Sequence, residues 1–357
     1  MGDPVTTPTV TAVMLAWGDE PLIEEAVEAV LASAGVAVDV VLVDNGCHSE
    51  GLKRAADLPG VTLITPEENL GFAGGCNLGA RRASGEYLAF INSDAVVRPD
   101  ALANLVRALA DDVGLSSASL RLYEDPDTMN SAGNPVHFSG LSWAGALGEP
   151  ASSHTAPKDI TSATGAATVV RAERFAALGG FCEEMFAYCE DTELSLRSWQ
   201  RGWRVVFVPD AVVLHHYEFT RNPAKSYLLE RNRLFMVLTL FEKRTLIALA
   251  PALVALEMAV LAVAVRQRWW HQKVSGWRWL WTNRRAVLAR RRQVQTARTR
   301  SDAEILSLIT GDYTPGQEGL AAPWLLRAGS RAYWHVVSWW VRRHPTTKEH
   351  TVGTARD

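Results

Sequence analysis

The chain has 357 residues, about two average domains, and 48% of them are apolar, which excludes a largely disordered protein. Its formal net charge of −3 hides an asymmetry, because residues 258–301 contain eleven Lys or Arg and no Asp or Glu. The remainder is therefore strongly acidic, which argues against a nucleic-acid polymer as substrate or partner.

The four cysteines, at positions 47, 76, 182 and 189, form neither a CxxC pair nor a dense disulfide framework. This spacing predicts reduced thiols in the cytoplasm and no structural zinc. The first apolar run, Val10–Trp17, has no basic residues before it and no small-residue cleavage pattern after it. We therefore interpret it as a buried strand rather than a signal peptide.

Residues 10–207 alternate short β-rich apolar runs with helical patterns. This alternation predicts an α/β fold with a mostly parallel central sheet and helices on both faces. Helices are predicted at Leu22–Leu31, with Asp19 as N-cap, and at Ala101–Leu109. Residues 125–158, rich in Gly, Ser, Pro and Asn, predict an ordered excursion or mobile loops over the working edge. The predicted strands are Val10–Ala16, Val38–Asp44, Val61–Thr65, Tyr87–Asn92 and Leu115–Arg121.

Polar side chains follow two of these strands. Asp44 and Asn45 end the second strand, at the carboxyl edge where open α/β sheets bind ligands, although they are also common turn formers. Asn92 and Asp94 end the fourth strand and, two residues apart, can point the same way and reach one hard cation. The alternative for Asp94 is that it only caps the next turn.

A glycine-rich segment, Asn69-Leu-Gly-Phe-Ala-Gly-Gly-Cys-Asn77-Leu-Gly79, follows the third strand. Its glycines allow backbone N–H groups to approach a phosphate, and the following helix offers its positive N-terminal end. The segment matches neither GxGxxG nor a P-loop, which disfavours hydride transfer and P-loop chemistry. A purely structural turn remains the alternative.

Three acids, Glu190, Asp191 and Glu193, open a predicted helix that runs to Gly202. First-turn acids complement the helix macrodipole, which accounts for Glu190 or Glu193 more readily than for Asp191.

A strand-like run, Val205–Val213, then delivers His215 and His216. Either histidine is a candidate nitrogen ligand for a metal at Asp94, and a surface pair is the alternative.

The character of the chain changes after Pro223. A helical stretch at Lys225–Phe241 precedes Leu246–Val265, which is long enough to span a membrane but contains Pro251 and Glu257. A surface-lying or re-entrant element, a true span and a helix buried against the protein all stay open.

Nine of the thirteen tryptophans lie after Arg268, interspersed with arginines. Interfacial Trp beside Arg predicts an anionic membrane surface as partner, while a Trp-rich core or a homo-oligomer interface is the alternative. Trp324–Arg343 predicts a second, amphipathic surface helix. These changes divide the chain into a catalytic domain at 1–222, a helical membrane-associating region at 223–312, and an amphipathic helix and tail at 313–357.

Taken together, the motifs closely resemble the inverting family-two glycosyltransferases of GT-A fold. The resemblance covers about residues 10–243 and is greatest to the rhamnosyltransferase and galactofuranosyltransferase branch. The motifs that carry it are Asp44-Asn45, Asn69…Gly75…Asn77, Asn92-Ser-Asp94, Gly179-Gly180-Phe181, Glu190-Asp191 and His215.

The resemblance implies a function and a set of residues. Asp191 would be the general base, and Asp94 with His215 would hold Mn²⁺ or Mg²⁺. The chain departs from the family's DxD pattern at Asn92, which puts the metal ligand set in doubt. Gly165 and Glu190 are candidates on the acceptor side. The candidate nucleotide-sugar residues are Asp44, Asn45, Asn69, Gly71, Phe72, Gly74, Gly75, Asn77, Asn92, Ser93 and Arg231.

The implied donor is a dTDP- or UDP-sugar, and the implied acceptor is a glycan or a polyprenyl-linked hydroxyl. The expected location is the cytoplasmic face of the cell membrane, with peripheral attachment. Two alternatives stand behind this hypothesis: a nucleotidyltransferase acting on sugar phosphates, and an inactive membrane-attached carbohydrate-binding protein.

Overall fold

The computed structural model describes residues 7–216, 223–314 and 323–344. Within these ranges, ten strands form one mixed β-sheet, flanked by helices and followed by a helical layer. The strands are β1 (Thr9–Gly18), β2 (Ala37–Cys47), β3 (Val61–Ile64), β4 (Tyr87–Asn92), β5 (Ala95–Val97), β6 (Val113–Leu122), β7 (Met129–Ser131), β8 (Lys158–Asp159), β9 (Ala167–Arg171) and β10 (Arg204–His215). The helices are α1 (Ile23–Leu31), α2 (Gly51–Ala56), α3 (Gly71–Ala80), α4 (Ala101–Arg107), α5 (Ala172–Leu178), α6 (Glu190–Gln200), α7 (Pro223–Leu240), α8 (Lys243–Arg266), α9 (Trp270–Thr282), α10 (Arg284–Ala297), α11 (Asp302–Ile305) and α12 (Trp324–Arg343).

The strand order is β3-β2-β1-β4-β9-β6-β10-β5, with β7 paired to β6 and β8 paired to β10. β1, β2, β3 and β4 run parallel, as do β6 and β10. β9 runs antiparallel to both of its neighbours, β4 and β6. The predicted α/β class is therefore confirmed, and the sheet is mixed because the chain enters β9 from the edge at which β4 and β6 end.

The sheet separates two apolar layers, and side chains alternate between them. Along β1, Val10, Ala12 and Met14 face the cluster formed with α1, α2 and α4, whereas Val13 faces the cluster formed with α3, α5 and α6. Because both faces are covered, the central strands are nearly continuous apolar runs, which made them visible in the sequence.

The five predicted strands are all present, and β4 has the predicted bounds. The predicted N-cap of the first helix is wrong. α1 begins at Ile23 after Leu22, without a side-chain cap, and Asp19 instead accepts a hydrogen bond of 3.0 Å from the Ser49 hydroxyl. The excursion at 125–158 is ordered, with β7 and a short 3₁₀ turn at Ala151–Ser153 inside it.

The helical layer packs directly against the sheet domain. Phe235, Met236 and Leu240 of α7 share one apolar cluster with Leu196 of α6 and with Phe138 of the excursion. The first helix of the layer therefore contacts the helix that carries Asp191.

Helix α8 is, within the described residues, the one helix long and apolar enough to cross a membrane by length and composition. Its inward side packs on the layer, but Ile247 and Val254 on the other side are 62% and 63% exposed. Glu257 points inward, where its carboxylate pairs with Arg233 of α7 and lies 2.8 Å from Lys273 of α9. The apolar helix is thus fixed to its neighbours by buried charges.

Candidate active site

A carboxylate–histidine pair lies where β4, β5 and β10 meet. The antiparallel pairing of β5 with β10 places Ala95 opposite His215. His215 Nε2 consequently lies 3.2 Å from Asp94 Oδ1. The ring of His216 instead lies edge-on to Tyr123, with ring centroids 6.2 Å apart. Of the two candidate histidines, His215 is therefore the one whose ring lies against the Asp94 carboxylate, whereas His216 donates its backbone N–H to the Asp94 carbonyl at 3.0 Å.

Asn130, on β7, orients the His215 ring. His215 Nδ1 lies 2.9 Å from Asn130 Oδ1, and Asn130 is buried. With Nδ1 carrying the proton, Nε2 presents a lone pair toward Asp94, so two acceptors face each other. An imidazole nitrogen and a carboxylate oxygen that face each other in this way are suitable ligands for one divalent cation. The described residues contain no group of three His, Cys, Asp or Glu side chains that could hold a metal, so the other ligands would be substrate oxygens and water.

Glu20, just after β1, is a second acidic group at this edge, besides Asp94. Burial, together with the charge of Asp94, raises the pKa of Glu20 to about 7, although a hydrogen bond with Ser93 opposes the shift. Glu20 was not among the residues predicted from the sequence. Its signal was its place just after the first strand, comparable to that of Asp44 at the end of the predicted second strand. For Asn130, inside the excursion, the sequence contains no such signal.

Asp191 lies in the first turn of α6, half-buried at the same edge of the sheet. Its Oδ2 accepts a hydrogen bond of 3.0 Å from the Gly165 N–H, and its Oδ1 accepts one of 2.6 Å from the Thr192 N–H. Burial raises the pKa of the Asp191 carboxyl, and these N–H donors oppose part of the shift. The result is an oriented carboxylate with increased basicity.

The two neighbouring acids have other environments. Glu190 is buried, its Oε2 has no hydrogen-bond partner, and burial with the nearby charge of Asp191 raises its pKa well above the usual range. Burial alone would raise the pKa of Glu193, but the guanidinium groups of Arg197 and Arg290, 2.6 and 2.7 Å away, lower it. Glu193 is therefore a structural ion-pair partner, whereas burial favours the protonated form of Glu190, next to Asp191.

Backbone contacts join Asp191 to the end of β4. The Asn92 N–H donates to the Ala166 carbonyl at 3.0 Å, and the adjacent Gly165 N–H donates to Asp191. The Phe72 ring of the glycine-rich segment borders Gly165 on the same side as Asp191. The structure thus brings Asp94, His215, Asp191 and the start of α3 to one sheet edge.

Asn45 and Asn69 brace the start of α3. Asn45 Nδ2 donates to Asn69 Oδ1 at 2.8 Å, and Asn45 Oδ1 accepts from the Leu70 N–H at 2.8 Å. Asn69 Oδ1 also accepts from the Gly71 N–H at 2.8 Å. Asp44 Oδ1 accepts from the Cys47 N–H at 2.9 Å, so it shapes the irregular last residues of β2. These predicted nucleotide-side residues all have structural partners in the turn itself.

The glycines of α3 allow close packing, and their role as phosphate-approach positions stays a prediction. A Cβ on Gly75 would collide with Leu15 of β1, and a Cβ on Gly79 would collide with Val13. Gly71 has a positive φ of 68°, and a Cβ there would collide with the Phe186 carbonyl. Gly74, in the first turn, is also buried.

Two further residues predicted to contact the donor, Asn77 and Arg231, make hydrogen bonds to neighbouring loops, and their donor role stays a prediction. Asn77 is buried two turns into α3, where its amide donates to the Phe181 carbonyl at 3.0 Å and accepts from the Phe181 N–H at 2.9 Å. The Arg231 guanidinium donates to the carbonyls of Glu184 and Met185 at 2.9 and 2.7 Å. Both side chains therefore hold loops next to the site, because their polar atoms already have buried backbone partners.

An α/β sheet with a carboxylate–histidine pair and an oriented carboxylate at one edge is the arrangement that the predicted GT-A fold requires. Residues 11–177 match the model of the family described as Glycosyl transferase family 2, so this part of the chain is similar to that family.

Curated relatives match only parts of the chain. The succinoglycan biosynthesis protein ExoO of Rhizobium meliloti is 36% identical over 134 residues, which are 34% of this chain and 38% of that protein. The N-acetylglucosaminyl-diphospho-decaprenol L-rhamnosyltransferase of Mycobacterium tuberculosis is 43% identical over 63 residues, 17% of this chain and 20% of that protein. The chain thus spans well under half of the length of either relative.

Solved structures share the fold. The mannosyltransferase PcManGT from Pyrobaculum calidifontis, in complex with GDP-Man and Mn²⁺, superposes with a TM-score of 0.50 at 20% identity, covering 96% of this chain and 88% of that one. GalNAc-T7 with UDP, GalNAc and Mn²⁺ superposes with a TM-score of 0.54 at 18% identity, covering 67% and 49%. At these identities the likeness establishes the architecture.

Proposed function

We propose that this protein is a metal-dependent inverting glycosyltransferase that moves a sugar from a nucleoside diphosphate to an acceptor hydroxyl. The observation that carries the proposal is Asp191, a carboxylate of raised basicity, held at the sheet edge that also presents the Asp94–His215 pair. A neutral hydroxyl is a poor nucleophile, and a positioned carboxylate activates it by taking its proton.

In the proposed reaction, Asp191 accepts the proton of the acceptor hydroxyl as the oxygen bonds to the anomeric carbon. The bond from that carbon to the diphosphate oxygen breaks on the opposite face, so the configuration inverts. Asp94 and His215 would hold Mn²⁺ or Mg²⁺, which supplies positive charge to the departing diphosphate. The Gly165 N–H keeps the Asp191 carboxylate oriented throughout.

The finer assignment concerns substrates. We favour a thymidine-diphosphate deoxysugar such as rhamnose as donor and a polyprenyl-linked glycan as acceptor. The support is the family resemblance and the name of the mycobacterial relative, a rhamnosyltransferase acting on a decaprenol-linked sugar. The two structural neighbours hold GDP-Man and UDP, so the fold accommodates different bases.

The test uses purified full-length protein with Mn²⁺, a panel of nucleotide sugars and a polyprenyl-diphosphate N-acetylglucosamine acceptor. We expect transfer by the native protein, and a loss of about 10²–10⁴-fold in turnover for Asp191→Asn. Donor binding, measured as thermal stabilisation, should remain.

The matched control is Asp111→Asn, an exposed carboxylate at the opposite edge of the sheet, which should keep full turnover. Unchanged turnover in Asp191→Asn would reject the base assignment. Pyrophosphate release from a nucleoside triphosphate and a sugar phosphate would support the nucleotidyltransferase instead. Donor binding without any turnover would support a carbohydrate-binding protein.

We further infer that the helical layer lies on an anionic membrane at the cytoplasmic face, with α8 in the plane of the surface. The outward side of α8 is apolar and exposed, and Trp324 and Trp339 of α12 are exposed on the adjacent helix. Arg266, Arg342 and Arg343 flank these surfaces. This composition matches a lipid interface, where Trp and Arg lie at headgroup depth.

The buried charges favour the in-plane orientation over a span. Glu257 lies midway along α8 and is paired with groups from α7 and α9, so a span would carry all of them into hydrocarbon. The free thiols at all four cysteine positions agree with a reducing compartment. We keep the proposed division of the chain at residue 222, immediately before α7. The predicted tail beyond residue 344 lies outside the described residues.

A further inference from the structure

The loop immediately before Asp191 has an unusual backbone. Phe186, Tyr188 and Cys189 have positive φ values of 64°, 70° and 69°, although none of them is glycine. Side chains with a Cβ rarely adopt this conformation, and it persists only where surrounding contacts enforce it. The loop therefore needs an external restraint to keep its shape.

Asn232 of α7 supplies that restraint. Its side chain is completely buried, and Nδ2 lies 2.8 Å from each of three loop carbonyls, those of Met185, Ala187 and Tyr188. One amide thus binds the loop on both sides of the strained residue Phe186.

The neighbouring Arg231 completes the restraint. Its Nη2 donates to the carbonyls of Glu184 and Met185, and its Nε donates to Asn232 Oδ1 at 2.8 Å. Its guanidinium carbon also lies 4.6 Å from the ring centroid of Trp279, on α9. We call the two side chains of Arg231 and Asn232 the loop clamp.

The loop held by this clamp leads into both halves of the site. The Phe186 carbonyl accepts a hydrogen bond of 3.0 Å from the Ala73 N–H at the start of α3. Cys189 is the residue before α6, and its carbonyl accepts from the Glu193 N–H in the first turn. The orientation of that first turn, which contains Asp191, consequently depends on the loop.

We propose that Asn232 is a positioning residue for Asp191, and that the loop clamp transmits the position of α7 to the catalytic carboxylate. This role rests on the proposed function in so far as Asp191 is the base. Asn232 touches no reacting group; it fixes the loop, and the loop fixes the first turn of α6. A displacement of about 1 Å at a reacting group is enough to lower turnover about 100-fold.

The test compares Asn232→Ala with Gln295→Ala. Gln295, on α10, is the matched control. Its Nε2 also donates to backbone carbonyls, those of Leu240 and Thr239 in α7, at 2.8 and 3.0 Å. Among the described residues, the Gln295 side chain makes no hydrogen bond to the loop before Asp191. We expect Asn232→Ala to lower kcat by about 100-fold with the donor KM little changed. Gln295→Ala should keep kcat even where it lowers the melting temperature equally.

A second variant and a second measurement keep the proposal testable. Asn232→Asp keeps the volume of the side chain, but a carboxylate oxygen cannot donate hydrogen bonds to the loop carbonyls. This variant should therefore lower kcat at least as far. Hydrogen exchange should accelerate at residues 184–189 in Asn232→Ala while the rest of the sheet domain keeps its protection. A preserved kcat, or an equal loss in Gln295→Ala, would overturn the positioning role. If the native protein transfers no sugar, the exchange measurement still decides whether Asn232 holds the loop.

Discussion

At the scale of single residues, adjacent acids in one helical turn have been given different chemistry by their surroundings. Asp191 accepts two backbone N–H bonds and is the proposed base, burial raises the pKa of Glu190, and two arginines outweigh burial and lower the pKa of Glu193. Identical charge in the sequence therefore does not mean identical function, because burial and partners set each pKa.

The raised pKa of Asp191 predicts a pH dependence. As a base, Asp191 must be ionised, so kcat should rise with pH through its folded-state pKa, and this limb should lie above the ordinary aspartate value of 3.8. A profile of kcat against pH, with donor saturating, measures it.

The pH dependence of stability tests the raised pKa of Asp191 independently, because proton linkage fixes the direction of the change. A carboxyl with a raised folded pKa favours folding below its unfolded pKa, and this contribution is lost as pH rises through the folded pKa. The melting temperature of Asp191→Asn, relative to the native protein, should therefore increase from acid to neutral pH. A difference that stays constant over this range would contradict the raised pKa.

The sequence predicted some of these residues and not others, for physical reasons. Asp94 and His215 were predicted because each follows an apolar strand-like run. The carboxyl ends of parallel strands lie at one edge of the sheet, whatever the length and conformation of the loops. Asn77 and Arg231 received donor-side roles, yet their amide and guanidinium are occupied by loop carbonyls. Their partners lie about a hundred residues or nearly fifty residues away in the chain, and no local pattern records such pairings.

At the scale of elements, the strands were predictable because burial on both faces leaves continuous apolar runs. The glycines of α3 were also conspicuous, but the sequence did not reveal that two of them meet a packing requirement. Gly75 and Gly79 allow α3 to approach β1 closely. In a sequence, a glycine needed for close packing cannot be distinguished from a glycine of a phosphate-binding turn.

Helix α3 supplies a prediction that separates these two causes. Gly79→Ala should lower the free energy of unfolding by about 1–3 kcal/mol, because its Cβ would meet the stiff, buried side chain of Val13. Gly75→Ala should cost less, since the Leu15 side chain that it meets can rotate. Urea unfolding followed by circular dichroism measures both, and a Gly79→Ala protein as stable as the native one would contradict the packing role.

At the scale of the whole molecule, the apolar outer side of α8 predicts reversible binding to anionic vesicles. Replacing Ile247 and Val254 by Glu removes two exposed apolar side chains worth about 1.5–3 kcal/mol each, so binding should weaken by more than about tenfold. Co-sedimentation with phosphatidylglycerol vesicles measures the change, and phosphatidylcholine vesicles show the contribution of lipid charge.

The control is Leu63→Glu, which places the same charge on an exposed apolar residue of β3 and should bind like the native protein. If α8 lies in the plane of the membrane surface, as proposed, alkaline carbonate should release the native protein from vesicles. Resistance to carbonate would indicate a span, and loss of dimers rather than of vesicle binding in the double variant would indicate an interface between copies.

The direction of β9 has a consequence for how such a protein can diversify. The excursion leaves β6 at Leu122 and returns at Gly165, beside the Asp191 carboxylate, so its two ends lie at the same rim. The segment also contains β7 and β8, which pair with the sheet, and Asn130, which orients His215, so its exposed loops, rather than the whole segment, can change in length without disturbing the sheet. Variation in those loops would alter the walls around the proposed acceptor site while Asp94 and β4 stay as they are.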